Sequence, residues 1–168
     1  MDVLIEVASV EEQIVLLLKV FGAMALGGVI GLERELNDRP AGFRTHMLVA
    51  GASSVLVNVG EYLVRWYAQD GLSELVEADP FRTIGAVVTG IAFLGAGTII
   101  QKEKKMTVHG LTTAASLLFC GTIGIASAVN LWVFAVALTL SSVVLLRLLH
   151  RFEGWLLKKK KAPLDKSL

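Results

Sequence analysis

The sequence predicts an all-α integral membrane protein, a compact bundle of five transmembrane helices with its N-terminus outside and its C-terminus in the cytoplasm. Three observations predict it. Of 168 residues, 54% are hydrophobic and only 18% charged, with a mean hydropathy of +0.65. A soluble domain of that length cannot bury so much apolar side chain, whereas lipid accommodates it. Five stretches approach the ~20 apolar residues that a bilayer crossing needs. Lysine and arginine are also distributed unevenly along the chain, as membrane topology demands.

The first span runs from Gln13 to Leu32, with Lys19 as its only charge. Ala23, Gly27 and Gly31 recur every four residues and form a ridge of small side chains that favours close helix contact. Lys19 either snorkels to the outer surface or pairs with Glu61. The second span runs from Phe43 to Val64, the third from Ile84 to Ile100, the fourth from Leu111 to Ala128 and the fifth from Leu131 to Leu149. The last two are nearly continuous. One helix over both would be ~58 Å long at 1.5 Å per residue, about twice the hydrocarbon core. A hairpin turn near Asn130 is therefore expected, loosened by Gly124, Ser127 and Asn130.

Of the 16 lysines and arginines, all but Lys19, Arg65 and Arg82 fall at the connection after the first span, at the connection after the third, or from Arg147 onward. The opposite side carries Asp70, Glu74, Glu77 and Asp79. The positive-inside rule then places the N-terminus outside and the tail in the cytoplasm. Residues 1–12 read as a short outer amphipathic segment, 13–150 as the membrane domain and 151–168 as a basic cytoplasmic tail. Gln69 to Phe81 is a polar, acidic outer loop with room for one helical turn. In the tail, Phe152 and Trp155 suit the headgroup level, and the lysines that follow suit anionic lipid.

Mixed charge is densest in GLERELNDRPAGFRTH, from Gly31 to His46. Pro40 and Gly42 shape this first cytoplasmic turn. Glu33, Arg34 and Glu35 end one helix; Arg44, Thr45 and His46 begin the next. Pairing of Glu33 or Glu35 with Arg44 would allow their burial. A structural ion-pair network and a functional cluster both fit. The second span then carries His46, Ala50, Ser54, Asn58 and Glu61 on one face. Ser54, Asn58 and Glu61, with Thr89 of the third span, either bond neighbouring helices or line a polar path. The third span is rich in glycine, including Gly95 and Gly97. This reads as tight packing, or as a break around Phe93 to Gly97. Thr112 and Thr113 open the fourth span, where their hydroxyls can cap free N–H groups and the helix end favours an anion.

Enzyme signatures such as a P-loop, HExxH or GxSxG are lacking, and no catalytic residues are expected. The single Cys120 excludes an intramolecular disulfide and a CxxC metal site. A net charge of +1 does not point to nucleic acid. The acidic outer loop is not a defined oxygen-ligand site for a divalent cation.

Four motifs in order, GLERE, AGFRTHMLVAGAS, VVTGIAFLGAGTII and VHGLTTAAS, resemble the MgtC/SapB family of bacterial inner-membrane proteins. The resemblance covers Val20 to Leu149. The family's motif positions fall on Gly31, Arg34, Glu35, Gly42, Arg44, Thr45, His46 and Gly51. They continue on Arg82, Gly90, Phe93 to Gly97 and Gly110 to Ala115. Ala92 stands where the family commonly has glycine, Leu118 near where an aromatic often follows, and the soluble C-terminal domain of longer members is not seen. The resemblance implies a small helical domain of the bacterial inner membrane, linked to adaptation to low magnesium and, in pathogens, to survival within macrophages. It raises the weight of Glu33, Arg34, Glu35, Arg44, Thr45 and His46 as a functional cluster. Gly95, Gly97, Thr112 and Thr113 are expected to converge on it at the cytoplasmic face.

Two functions compete. One is a protein of magnesium or ion homeostasis that moves or senses a small solute, with Mg2+ as a candidate ligand and no other cofactor. The other is a non-transporting regulator that binds a membrane protein, of which the resemblance offers ATP synthase as an example. The small-residue ridges also make a homodimer a candidate.

Overall fold

The computed structural model describes residues 8–69, 79–102 and 107–160. Five helices follow in chain order: α1 (Val10–Leu36), α2 (Phe43–Gln69), α3 (Pro80–Thr98), α4 (Leu111–Ala128) and α5 (Trp132–Lys160). A short antiparallel hairpin, β1 (Ile100–Lys102) with β2 (Thr107–His109), joins α3 to α4. Its strands have three residues each, too short for an alternating pattern to be seen in the sequence. Helices α1 to α4 are long and apolar enough to cross a membrane. In α5 the apolar stretch is Trp132–Leu148, ~25 Å at 1.5 Å per residue.

Local chemistry explains the helix ends. Ser9 accepts the N–H of Glu12 at 3.2 Å, while the Glu12 carboxylate accepts the Ser9 N–H at 2.9 Å. This reciprocal cap starts α1 at Val10 and draws Glu11 and Glu12 into the helix rather than into a separate outer segment. Residues 1–7 of that expected segment lie outside the described residues. Asp79 accepts the Phe81 N–H at 2.9 Å, with Pro80 in the first turn, so α3 begins before Ile84. It then runs unbroken through Gly95 and Gly97 to Thr98, and the break considered at Phe93 to Gly97 is not formed. Between α4 and α5, Asn130 adopts a left-handed conformation at φ 62°, and Leu131 N–H bonds Ala126 O at 2.9 Å, closing the expected turn. Helix α2 extends past Val64 to Gln69, and most of the expected outer loop lies outside the described residues. Helix α5 extends past Leu149 to Lys160, into the expected basic tail.

The helices run antiparallel in sequence order, as their contacts show. The end of α1 meets the start of α2 at Gly31 and Phe43, and the end of α3 meets the start of α4 at Gly95 and Ala114. At the other end, Lys19 of α1 reaches Ala128 at the end of α4. The α1–α2 turn, the β-hairpin and the far part of α5 therefore share one end of the bundle, the basic end. Helices α1, α2 and α4 form the centre, with α3 and α5 on its flanks. Ala23, Ala50, Leu117 and Cys120 lie in one buried cluster; Ile30, Ile123 and Ala135 lie in a second.

Small residues set the central distances. A Cβ on Gly27 would stand 2.6 Å from His46 O and 2.8 Å from Ala50 Cβ, and one on Gly124 would overlap Ala50 O. By contrast, a Cβ on Gly85, Gly90 or Gly97 of α3 would meet nothing within 4 Å. Gly124→Ala should therefore lose about 1–3 kcal/mol of stability through overpacking. Gly90→Ala should be neutral or gain about 0.5–1 kcal/mol from helix preference. Unfolding in detergent micelles measures both, and equal effects would contradict this packing.

Candidate functional site

The last turns of α1 bury two adjacent charges. Glu33 is 2% exposed and Arg34 3%. Neighbouring helix residues do not normally face each other, yet Arg34 Nε donates to Glu33 Oε2 at 2.7 Å. Both side chains are long enough to bend toward each other along the helix surface. Asn37 holds the second carboxylate oxygen, donating from Nδ2 to Glu33 Oε1 at 2.9 Å and to Glu33 O at 2.7 Å. Glu33 thus has a donor on each oxygen, which is what a buried carboxylate requires.

His46 lies one helix away, fully buried. Its Nδ1 is 2.9 Å from Gly42 O, and its Nε2 is 3.0 Å from Ser116 Oγ on α4. A carbonyl only accepts, so Nδ1 carries the proton. In the neutral ring Nε2 then accepts from the Ser116 hydroxyl. That hydroxyl also lies 2.8 Å from Thr113 O, and its one proton can serve only one of the two acceptors. Cys120 completes the link by donating from Sγ to His46 O at 3.1 Å.

The structure divides the residues singled out in the sequence. Glu33, Arg34, His46 and Thr113 turn inward, with Gly95 buried against Ala114. Arg44, Thr45, Gly97 and Thr112 are exposed. The expected pairing of Arg44 with Glu33 or Glu35 is not formed. Glu33 is taken by Arg34, and Glu35 accepts the Phe43 N–H at 2.7 Å, which fastens the start of α2. Nor do Thr112 and Thr113 cap α4 with their hydroxyls. Gly110 holds the cap position at φ 94° with no side-chain bond, and any Cβ there would overlap Thr98 O of the returning chain.

The second group of residues falls apart in space. Ser54 and Asn58 are buried, and Asn58 Nδ2 donates to Ser54 O at 2.7 Å. Glu61 is exposed and sits 3.6 Å from Arg65. Thr89 is exposed and bonds back to Gly85 O at 2.8 Å within α3. Among the described residues Lys19 pairs with no carboxylate, and the pairing considered with Glu61 is not formed. Lys19 donates to Ala128 O at 2.9 Å, at the carbonyl end of α4, where a cation is favoured.

For Mg2+ the donor set is a poor match. Among the described residues, no group of three or more His, Cys, Asp and Glu stands together. Magnesium prefers carboxylate and water oxygens in octahedral array, whereas both Glu33 oxygens already have donors. Three participants were not foreseen: Asn37, Ser116 and Cys120. Ser116 falls within the TTAAS motif, three residues after Thr113 and so on its face of the helix, and that spacing was the available signal.

Similarity to known proteins follows the same region. The model of the MgtC family matches residues 20–155. A Haemophilus influenzae protein is 38% identical over 88% of this chain and 61% of its own length. Protein SapB of Bacillus subtilis is 30% identical over 86% and 59%. YhiD of Escherichia coli, described as a candidate magnesium transporter, is 30% identical over 79% and 59%. The chain thus spans about three-fifths of the length of these relatives. No solved structure matches it.

The Glu33–Arg34 pair makes a sharp prediction. Removing one partner leaves a buried charge uncompensated, at a cost of about 3–5 kcal/mol. Glu33→Gln and Arg34→Met should each lower the unfolding midpoint strongly, and the double variant should recover most of the loss. Additive losses in this double-mutant cycle would show that the two charges do not depend on each other.

Proposed function

The chain belongs to the MgtC family, and from that premise we propose that it is a multi-pass membrane protein of magnesium or ion homeostasis that moves or senses a small solute at its basic end. In this reading the basic end faces the cytoplasm of a bacterial inner membrane, in line with the charge bias of the connections. One observation carries the reading: a hydrogen-bonded ion pair and a fully buried histidine lie where α1, α2 and α4 come together. Purely structural helix ends can leave such charges to water. Burying them demands a complete set of partners, and a solute that displaced one partner would change how the helices meet. The candidate magnesium transporter among the relatives supplies the solute class.

A second reading, a regulator that binds another membrane protein, is favoured by α3. This helix exposes Phe93 at 80%, and a Cβ on Gly85, Gly90 or Gly97 would meet nothing within 4 Å among the described residues. Such a face suits a transmembrane partner helix.

Magnesium uptake into proteoliposomes tests the first reading, with Glu33→Gln and His46→Gln beside the wild-type chain. Each variant is checked first for its unfolding transition. The expected result is saturable uptake that falls about tenfold, ~1.4 kcal/mol, in a folded variant. No uptake by correctly inserted wild-type protein would count against magnesium transport. In the regulator reading, Phe93→Ala weakens co-purification of the partner and leaves the unfolding transition unchanged.

A further inference from the structure

Three polar contacts form a chain through the His46 ring. Nδ1 lies 2.9 Å from Gly42 O, Nε2 lies 3.0 Å from Ser116 Oγ, and Ser116 Oγ lies 2.8 Å from Thr113 O. Each contact needs one hydrogen. A neutral imidazole and one hydroxyl supply two between them, so one contact is left with lone pair against lone pair. With the ring proton on Nδ1, the Ser116 proton turns either to Nε2 or to Thr113 O. A doubly protonated ring removes the conflict. Nε2–H then donates to Ser116 Oγ, and the Ser116 proton goes to Thr113 O. Only this state gives all three contacts a hydrogen.

The partner at Nε2 makes the change possible without movement of the helices. A carbonyl can only accept and an amide N–H can only donate, whereas a hydroxyl does both and reverses by rotation about its Cβ–Oγ bond. The surrounding charges leave room for a positive ring. Arg34 of α1 opposes it and Glu33 favours it, and these two are paired with each other. Helix α4 turns Thr113, Ser116 and Cys120 inward and has no charged residue along its length. The charge of α3, Arg82, stands in its first turn, at the other end of the bundle. Glu35 and Arg44 beside the α1–α2 turn are exposed. The ring itself sits in the first turn of α2, at the basic end, and Gly42 beside it is only half-buried.

We propose that His46 is a proton-binding site, and that proton uptake at Nε2 from water at the basic end tightens the contact between α2 and α4 through Ser116. In the neutral state the link is one hydroxyl proton shared between two acceptors. In the charged state it is a charge-assisted bond with no competitor. No covalent bond breaks: the proton adds to the Nε2 lone pair and the Ser116 hydroxyl rotates. The inference goes beyond the solute reading and does not rest on it, because the ionisation of the ring is read without any uptake.

Nuclear magnetic resonance of the 15N-histidine-labelled chain in micelles tests it, with pH as the variable. His46→Gln identifies the signals of His46 against those of His109 and His150. The expected titration runs from the Nδ1–H tautomer to the doubly protonated ring while the chain stays folded, as histidine chemistry allows near neutral pH. Ser116→Ala should weaken proton binding about tenfold, ~1.4 kcal/mol, because the charged ring loses the stronger bond. Ser116→Thr keeps the hydroxyl and should bind the proton as the wild-type chain does. Its added methyl has room, since Ser116 borders a cavity of about 250 Å³ between α1, α4 and α5. A His46 ring that stays neutral until the chain unfolds in acid would overturn the proposal. So would an unchanged titration in Ser116→Ala, or a Ser116→Thr chain that behaves like Ser116→Ala, since the effect would then belong to packing and not to the hydroxyl.

Discussion

Three helix backbones meet at Ala50, and the closeness of that meeting is the constraint on which the rest of the structure depends. Gly27 of α1 and Gly124 of α4 both abut this residue of α2. Lipid offers no hydrophobic drive for one helix to seek another, so association rests on close contact and on hydrogen bonds made possible by it. The geometry follows directly. With α1 and α4 drawn against α2, Cys120 Sγ reaches His46 O and Ser116 Oγ reaches the His46 ring. Larger residues at the contact would separate the helices and leave these polar groups without partners in a medium that supplies none.

The polar groups are accordingly concentrated where partners exist. Glu33 has Arg34 and Asn37, His46 has Gly42 and Ser116, and Lys19 has the carbonyl end of α4. Asn58 differs. Its amide N–H bonds within α2, but its Oδ1 is the buried side-chain atom left without a hydrogen bond among the described residues. Leaving such an acceptor unmet costs about 1–3 kcal/mol. The bundle thus combines a well-satisfied basic end with an unsatisfied amide deeper along α2.

Part of the site was legible in the sequence. Glu33, Arg34 and His46 stood out because charge between two apolar stretches needs an explanation. Their partners were misjudged because opposite charges on facing helix ends look like natural pairs. In the structure Arg34 bends back onto Glu33, which leaves Arg44 to the surface. Ser54, Asn58 and Glu61 shared a face in sequence, with Thr89 of the third span set beside them as a polar group, yet a helical face turns gradually around a bundle and spacing does not orient one helix against another. Ser54 and Asn58 therefore point into the seam, while Glu61 reaches the surface and Thr89 faces outward from the flank. The hairpin between α3 and α4 was missed because three-residue strands carry too little periodicity.

By itself the sequence determined membrane residence, the helical class, the number of helices and the turn at Asn130. It could do so because lipid sets a fixed length and a fixed polarity that composition must meet residue by residue. Only the tertiary structure decided which arginine is buried, which nitrogen of His46 carries the proton and where a cavity opens. Those outcomes depend on contacts between residues such as His46 and Ser116, 70 apart in the chain. Local spacing records which face a side chain occupies; it does not record which neighbour arrives there.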